Sequence, residues 1–188
     1  MITGVRPRQQ GEAADGRFEV HLLCGHRSGD VLVEQAHIHR PRWVVVTDPK
    51  AAAAIGSGVF PEGTELVIGP ERLEELLAGP EVDRVVSAIV GAAGLRSTWS
   101  ALAAGKTVAL ANKETLVTAG PLVTQLAARS GGVIIPVDSE HSAIHQALRS
   151  GRRHEVQQVV LTASGGPFRN HSKAQLADVR PEEALKHP

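Results

Sequence analysis

Residues 84–95 read Arg-Val-Val-Ser-Ala-Ile-Val-Gly-Ala-Ala-Gly-Leu, an apolar run that leads through two glycines into a segment with helical spacing. The part from Arg84 to Ile89 is rich in β-branched residues and has the length of a strand. Gly91 and Gly94 are typical of a tight turn from a strand into a helix, where small residues also let a cofactor approach the backbone. The stretch therefore predicts a strand, a turn and a helix, and leaves open whether the glycines serve packing or a cofactor.

The same alternation of strand and helix extends through the first two thirds of the chain. It predicts an α/β fold with a doubly wound, mostly parallel, Rossmann-like sheet, in which ligands bind at the carboxyl ends of the strands. The other strand candidates are Phe18 to Leu23, Trp43 to Thr47, Glu65 to Ile68, Thr107 to Leu110 and Val133 to Val137. Helical spacing is found around Val31 and Ile38, Leu73 with Leu76 and Leu77, Leu95 with Trp99 and Leu102, and Leu116 with Leu122 and Leu126.

The composition of the chain changes at both ends of this pattern. Residues 1–16 lack apolar periodicity, which predicts a disordered leader rather than a first strand. Residues 17–150 are expected to form the Rossmann-like domain. Residues 151–188 contain one more strand candidate, Val156 to Thr162, followed by a polar tail. These last residues are interpreted as the start of a second, catalytic domain, since about forty residues are few for a separate core.

Composition limits the classes of partner. The chain has 188 residues with 42% hydrophobic content, enough for a sizeable core. Twenty basic residues balance twenty acidic ones, so net charge favours neither nucleic acid nor an anionic membrane as a partner. Cys24 is the only cysteine, which excludes an internal disulfide, and neither a signal peptide nor a membrane-spanning run is recognisable. We therefore expect a cytoplasmic protein.

Two carboxylates follow the strand candidate at Val133 to Val137, in the stretch Pro-Val-Asp-Ser-Glu-His. Asp138 and Glu140 are two residues apart, so in an extended segment both point to one side and can converge on a cation. Oxygen ligands favour Mg²⁺ or Mn²⁺ over zinc, and water, substrate or another side chain must complete the shell. In the alternative interpretation, Asp138 or Ser139 caps the following helix and Glu140 complements its positive end, without a metal.

A lysine stands where a helix is expected to begin, in the stretch Ala-Asn-Lys-Glu-Thr at residues 111–115. Asn112 is suited to an N-cap and Glu114 to the first helical turn. Lys113 opposes the helix dipole by roughly 0.3 to 1 kcal/mol, which favours an anion beside its ammonium. In the alternative interpretation, the flexible side chain points into solvent and meets no ligand. Because consecutive strand ends share one rim of the sheet, we expect Lys113 to lie near Asp138.

A glycine-rich turn follows the last strand candidate, in Leu-Thr-Ala-Ser-Gly-Gly-Pro-Phe-Arg at residues 161–169. Its exposed amides and the Ser164 hydroxyl are suited to hold a phosphate. The alternative is an ordinary surface turn, because glycine-rich turns are common.

Four motifs occur in one order with natural spacing: Ala-Ile-Val-Gly-Ala-Ala-Gly, Gly-Lys-Thr-Val-Ala-Leu-Ala-Asn-Lys-Glu, Pro-Val-Asp-Ser-Glu-His and Leu-Thr-Ala-Ser-Gly-Gly-Pro-Phe-Arg. Together they resemble the 1-deoxy-D-xylulose 5-phosphate reductoisomerase family, over residues 17–188. The resemblance implies conversion of a sugar-phosphate substrate to 2-C-methyl-D-erythritol 4-phosphate in isoprenoid biosynthesis, by rearrangement and NADPH-dependent reduction on a divalent metal. It also implies a homodimer.

The resemblance implies a role for each residue that matches a family motif. The implied metal ligands are Asp138 and Glu140, for Mg²⁺ or Mn²⁺. The implied substrate contacts are Lys113, Ser139, Glu140, Ser164 and His187, with Lys113 and Glu140 also catalytic. The implied NADPH contacts are Gly25, His26, Asn112 and Glu114, although the turn at Gly25 is one residue longer than in the family.

The chain also departs from the family pattern. Members of the family open with a strand, a Gly-Ser-Thr-Gly-Ser-Ile-Gly turn and a helix that seat the cofactor pyrophosphate, and residues 1–16 do not match this unit. The family also continues beyond the position of Pro188, where a third carboxylate for the metal lies. We therefore expect a fragment with weak NADPH binding and little activity by itself. The alternatives are a catalytically silent relic and another NAD(P)-dependent dehydrogenase.

Overall fold

The computed structural model describes residues 2–7, 18–162 and 166–186 and divides the chain into two compact units. The first unit spans residues 1–138 and the second spans residues 139–188. The boundary thus lies directly after Asp138, earlier in the chain than the expected position after residue 150. Within the described residues, no helix is both long enough and apolar enough to cross a bilayer.

The first unit alternates strands and helices, as the sequence predicts. Its described strands are β1 Ile2–Pro7, β2 Phe18–Gly25, β3 Trp43–Val46, β4 Glu65–Ile68, β5 Arg84–Ser87, β6 Thr107–Leu110 and β7 Val133–Pro136. Its described helices are α1 Gly29–His39, α2 Pro49–Ala53, α3 Pro70–Ala78, α4 Leu95–Ala103 and α5 Lys113–Ser130, with a 3-10 turn at Ala92–Gly94. The second unit contains α6 Ser139–Arg149, α7 Pro181–Ala184 and 3-10 turns at Arg153–Glu155, Gly166–Phe168 and Gln175–Asp178.

The strands of the first unit form one sheet in the order β4-β3-β2-β1-β5-β6-β7. Strands β2, β3 and β4 are mutually parallel, and so are β5, β6 and β7. Strand β1 is antiparallel to both of its neighbours, so the two parallel halves run in the same direction. This arrangement confirms the predicted doubly wound, mostly parallel sheet. The chain order reverses between β2 and β5, which is where such sheets bind ligands.

The first strand corrects the prediction of a disordered leader. Residues Ile2–Pro7 pair with β2 on one side and with β5 on the other. The sequence gives little sign of this strand because its apolar residues are few, and strand formation depends more on neighbouring strands than on local preference. Here the neighbours are β2 and β5, each of which offers one edge to β1. Residues 8–16, the remainder of the predicted leader after β1, lie outside the described residues.

Two apolar cores lie in the first unit, and alternate residues of the same strands belong to different cores. Leu22 and Val45 pack with residues of α3, α4 and α5, whereas Leu23 and Val44 pack with residues of α1 and α2. Helices therefore bury both sets of side chains of the central strands, as a doubly wound sheet requires.

The strand predicted at Val156 to Thr162 is wrong for the described structure, which assigns these residues no regular element. Val159, Val160 and Leu161 are largely exposed. A β-rich sequence becomes a strand only when a neighbouring strand accepts its backbone hydrogen bonds, and no strand lies among the described residues of the second unit.

The position of β1 can be tested at Gly4, which is buried between its neighbours. A Cβ at this position would lie 3.2 Å from Val82 Cγ2 and 3.3 Å from Leu22 Cβ. We expect Gly4→Val to lower the free energy of unfolding of the first unit by about 1 to 3 kcal/mol, because it overpacks a filled core.

Urea unfolding followed by tryptophan fluorescence measures this effect in the first unit alone, since the two tryptophans, Trp43 and Trp99, both lie there. The matched control is Gly56→Val, in an exposed loop where a new Cβ would lie 3.4 Å from Val59 Cγ1, an ordinary contact. A Gly4→Val protein as stable as the control protein would contradict the insertion of β1 into the sheet.

Candidate functional site

Three adjacent strands of the first unit end at the same level. Ser87, Leu110 and Pro136 lie opposite one another in the parallel pairing of β5, β6 and β7. The register continues past the strands, because Val137 N donates to Leu110 O at 3.0 Å and Ala111 N donates to Ser87 O at 2.9 Å. The segments that follow the three strands therefore share one rim of the sheet.

Lys113 and Asp138 meet on this rim. Lys113 is the first residue of α5, and its Nζ lies 2.9 Å from Asp138 Oδ2. The Lys113 side chain is 58% exposed and the Asp138 side chain only 14%. The expected proximity of the two residues is confirmed, and the anion that meets the ammonium of Lys113 is a carboxylate of the same chain.

The other residues of the predicted metal and substrate cluster lie nearby in sequence. Ser139 and Glu140 are the first two residues of α6 in the second unit, and both are exposed. Among the described residues, no group of three or more His, Cys, Asp or Glu side chains is placed to hold a metal ion. The described part of the chain thus provides a carboxylate at the rim but not a complete ligand shell. Ser164 and His187 lie outside the described residues.

A cavity of about 710 Å³ opens where the chain order of the sheet reverses. Its walls come from the turn after β2, from the segment after β5 and from α3, and they include Gly25, His26, Thr47, Glu74 and Ile89. Small-molecule sites in proteins commonly have volumes of a few hundred to 1,000 Å³. The cavity therefore has the position and the size of a nucleotide site, and two of the predicted cofactor residues line it.

The turn after β2 carries two basic side chains that are held by the turn after β3. His26 Nδ1 lies 2.9 Å from Thr47 Oγ1, and Arg27 donates from Nε to Asp48 Oδ2 at 2.6 Å. Asp48 also caps α2 by accepting from Lys50 N at 2.9 Å. The hydrogen bond from Arg27, and then that from the Lys50 backbone, hold the pKa of Asp48 below its usual value. Asp48 therefore stays ionised and fixes Arg27 beside the cavity.

Asn112 fixes the loop after β5. Its side chain is almost fully buried, accepts from Thr115 N at 2.8 Å as an N-cap of α5, and donates to Ile89 O and to Gly91 O. The predicted N-cap is thus present. These bonds use both the oxygen and the nitrogen of the side-chain amide. Asn112 therefore joins the start of α5 to the backbone of the segment after β5, which lines the cavity.

Gly91 adopts a φ of 75°, a left-handed conformation that favours glycine, and no atom lies within 4 Å of a Cβ built there. The space beside this glycine is therefore open. Glu114 follows Lys113 in the first turn of α5, where a carboxylate complements the helix dipole.

Sequence reasoning missed Arg27 and Asp48. The signal for Asp48 was present, because Thr-Asp-Pro at residues 47–49 places an N-cap residue directly before a proline at a helix start. The pairing of Arg27 with Asp48 was not predictable, since it depends on two turns that only the parallel pairing of β2 and β3 brings together.

Comparison with known proteins identifies two matching family profiles. Residues 11–120 match the profile described as 1-deoxy-D-xylulose 5-phosphate reductoisomerase. Residues 134–188 match the profile described as the C-terminal domain of the same enzyme.

Individual relatives carry the same name. The chain is similar to 1-deoxy-D-xylulose 5-phosphate reductoisomerase of Anaeromyxobacter dehalogenans, with 50% identity over 92% of this chain and 44% of the relative. It is 52% identical to the corresponding protein of Chlorobium phaeobacteroides, over 89% of this chain and 43% of the relative. The chain thus spans less than half the length of these curated relatives.

Solved structures agree with this assignment. The reductoisomerase of Zymomonas mobilis in complex with NADPH aligns with a TM-score of 0.77 and 39% identity, over 92% of this chain and 45% of that one. A reductoisomerase in complex with NADPH, fosmidomycin and magnesium aligns with a TM-score of 0.68 and 37% identity, over 89% of this chain and 44% of that one.

The role of Asn112 in the first unit can be tested through Gly94. A Cβ at Gly94 would lie 2.8 Å from Asn112 Nδ2 and 3.1 Å from Ile89 O. We expect Gly94→Ala to lower the free energy of unfolding by about 1 to 3 kcal/mol, because Asn112 must leave its buried hydrogen bonds. Chemical unfolding followed by tryptophan fluorescence measures the change.

The matched control is Gly120→Ala in α5, where no atom lies within 4 Å of the new Cβ. This substitution should change stability by less than about 1 kcal/mol, because Gly120 lies at the kink of α5 before Pro121 and the new methyl group meets open space. Equal stability of the two variants would show that Asn112 does not constrain the loop.

Proposed function

Because the chain belongs to the 1-deoxy-D-xylulose 5-phosphate reductoisomerase family, we propose that it acts in the NADPH-dependent and metal-dependent conversion of that sugar phosphate to 2-C-methyl-D-erythritol 4-phosphate. In this proposal the first unit binds NADPH in the cavity between β2 and β5. The rim after β6 and β7 contributes to the metal and substrate site. A homodimer and a cytoplasmic location belong to the same proposal.

The contact between Lys113 and Asp138 is the observation that carries the proposal. It places a cationic group 2.9 Å from the carboxylate that the family motif assigns to the metal. The ammonium acts as a stand-in for a metal ion, and this supports the proposal that Asp138 holds positive charge after β7. A carboxylate oxygen is also the kind of donor that Mg²⁺ and Mn²⁺ prefer.

The residues of this chain have distinct proposed tasks. Asp138 and Glu140 hold the Mg²⁺ or Mn²⁺ ion, and Lys113, Ser139 and Glu140 contact the substrate. When bound, the metal polarises substrate oxygens and NADPH supplies the hydride. Lys113 adds a positive charge beside an oxygen that becomes negative, which lowers the free energy of the transition state. Ser164 and His187 are proposed as further substrate contacts on the strength of the motif alone.

The cavity fits a phosphorylated nucleotide. Gly25 and His26 line its wall, and Arg27 at its edge is a phosphate-binding residue type. In Rossmann-like folds an arginine near the end of the second strand accommodates the 2′-phosphate that distinguishes NADPH from NADH. Asn112 holds the Gly91 loop beside the cavity through its bond to Gly91 O at 2.8 Å. Glu114 completes the proposed cofactor set.

Metal binding can be tested at Asp138. We expect Asp138→Asn to weaken Mn²⁺ binding by about tenfold or more, because a neutral amide oxygen replaces a charged ligand. Glu140→Gln should have an effect in the same direction. Isothermal titration and electron paramagnetic resonance of free Mn²⁺ both measure the dissociation constant.

The control for this experiment is Asp83→Asn, which removes one negative charge directly before β5, at the amino end of that strand and away from the rim that carries Asp138. Its Mn²⁺ affinity should equal that of the parent protein. Identical Mn²⁺ binding by the Asp138→Asn variant and the parent would remove Asp138 from the metal site.

Cofactor preference can be tested at Arg27. We expect the chain to bind NADPH more tightly than NADH, and Arg27→Gln to reduce that preference by about tenfold, the effect of losing one charged hydrogen bond to a phosphate. Calorimetric or NMR titration with both nucleotides gives the ratio of dissociation constants.

Arg72→Gln is the matched control, since Arg72 pairs with Glu75 on the surface of α3. It should leave the ratio unchanged. If neither nucleotide bound at millimolar concentration, the cofactor part of the proposal would be wrong.

A further inference from the structure

We propose that Lys113 is an exchangeable counter-ion of the metal site. Its ammonium neutralises Asp138 while no divalent ion is bound, and it is released toward an oxygen of the substrate when the ion takes that carboxylate. This inference rests on the proposed function, because it assumes that Asp138 is a metal ligand.

The geometry shows why the two cations compete. Lys113 Nζ lies 2.9 Å from Oδ2 of Asp138, within the range of a charge-assisted hydrogen bond. The Asp138 side chain is only 14% exposed, so its carboxylate offers little surface to a second cation. A divalent ion that binds Asp138 must therefore displace the ammonium or share the carboxylate with it at the cost of charge repulsion.

The lysine is placed so that it can move. Its side chain is 58% exposed and extends from the first residue of α5, where a long flexible stem can swing without disturbing the core. Its backbone position is fixed by the Asn112 cap on the same helix end. Displacement therefore changes the direction of one side chain and leaves the rim intact.

The electrostatics of the helix favour transfer to a substrate. A cation at the first position of a helix opposes the helix dipole, and the carboxylate of Asp138, 2.9 Å from Lys113 Nζ, offsets that cost. Once a divalent ion neutralises Asp138, the ammonium is left with an unfavourable position and a weaker partner. An oxygen-rich anionic substrate then supplies the missing negative charge.

A purely structural lysine would behave in the opposite way. If Lys113 served to orient Asp138 for the metal, its removal would weaken metal binding. If it competes for the carboxylate, its removal strengthens metal binding. The sign of the change in Mn²⁺ affinity therefore separates the two roles without any measurement of turnover.

The experiment measures Mn²⁺ binding by isothermal titration to the parent chain and to Lys113→Gln. We expect the variant to bind Mn²⁺ about three- to tenfold more tightly, the range for removal of one partly exposed competing charge. Lys113→Arg, which retains a cation, should stay within about twofold of the parent. Arg129→Gln is the matched control, because it removes one positive charge from the last turn of the same helix.

A second measurement uses the parent protein and does not depend on the folding of a variant. Acetylation footprinting with mass spectrometry should show faster modification of Lys113 when Mg²⁺ is present, because the ammonium has left its ion pair. Lys106, which donates to Gly79 O at 2.7 Å at the amino end of β6, should react at an unchanged rate.

The outcomes distinguish this inference from the proposed function. Weaker or unchanged Mn²⁺ binding by Lys113→Gln, with binding still dependent on Asp138, overturns the counter-ion role and leaves the metal site in place. A Lys113 acetylation rate that does not respond to Mg²⁺ overturns it in the same way. Absence of Mn²⁺ binding by the parent chain overturns the metal site and the inference together.

Discussion

The parallel register of β5, β6 and β7 is the constraint on which the candidate site depends. It sets Ser87, Leu110 and Pro136 opposite one another, and the hydrogen bond from Val137 N to Leu110 O extends the register beyond the last strand. One residue of strand advances the chain by about 3.3 Å, and a slip of one residue turns every side chain to the other face. Either change would separate Lys113 from Asp138, so their contact is a direct product of backbone pairing.

The antiparallel first strand, β1, affects the part of the sheet where the cavity lies, between β2 and β5. Strands β2 and β5 each present an edge whose backbone groups need partners, and β1 satisfies both edges at once. Because β1 runs against its neighbours, its last residues lie at the amino ends of β2 and β5. A parallel strand in the same place would have placed its following turn at the carboxyl ends of β2 and β5. The cavity at these carboxyl ends is instead lined by the segments that follow β2 and β5 themselves.

Local sequence predicted those elements whose signal is contained in their own residues. The β-branched runs at β3 and β6, and the capping residue at Asn112, identified strands and a helix start that the structure confirms. Strand β1 and the segment at residues 156–162 were predicted incorrectly, because a strand requires neighbours that may be distant in sequence. Proximity of Lys113 to Asp138 was predictable from the rule that parallel strand ends share a rim. The contact between Arg27 and Asp48 was not, because each residue alone is typical of an exposed turn.

Both halves of the rim hold a basic side chain against an acidic one, so the two charges of each pair offset each other. Arg27 is paired with Asp48 after β2 and β3, and Lys113 is paired with Asp138 after β6 and β7. A ligand at either place must exchange partners with an existing pair rather than meet an isolated charge. For exposed pairs this exchange costs little, since such pairs contribute about 0 to 1 kcal/mol. At Asp138, however, a metal ion alone would take the carboxylate away from Lys113. An anion alone would take Lys113 away from the partly buried carboxylate of Asp138. If Asp138 is a metal ligand, as we propose, a divalent cation together with an anionic, oxygen-rich substrate would pair every charge at this place.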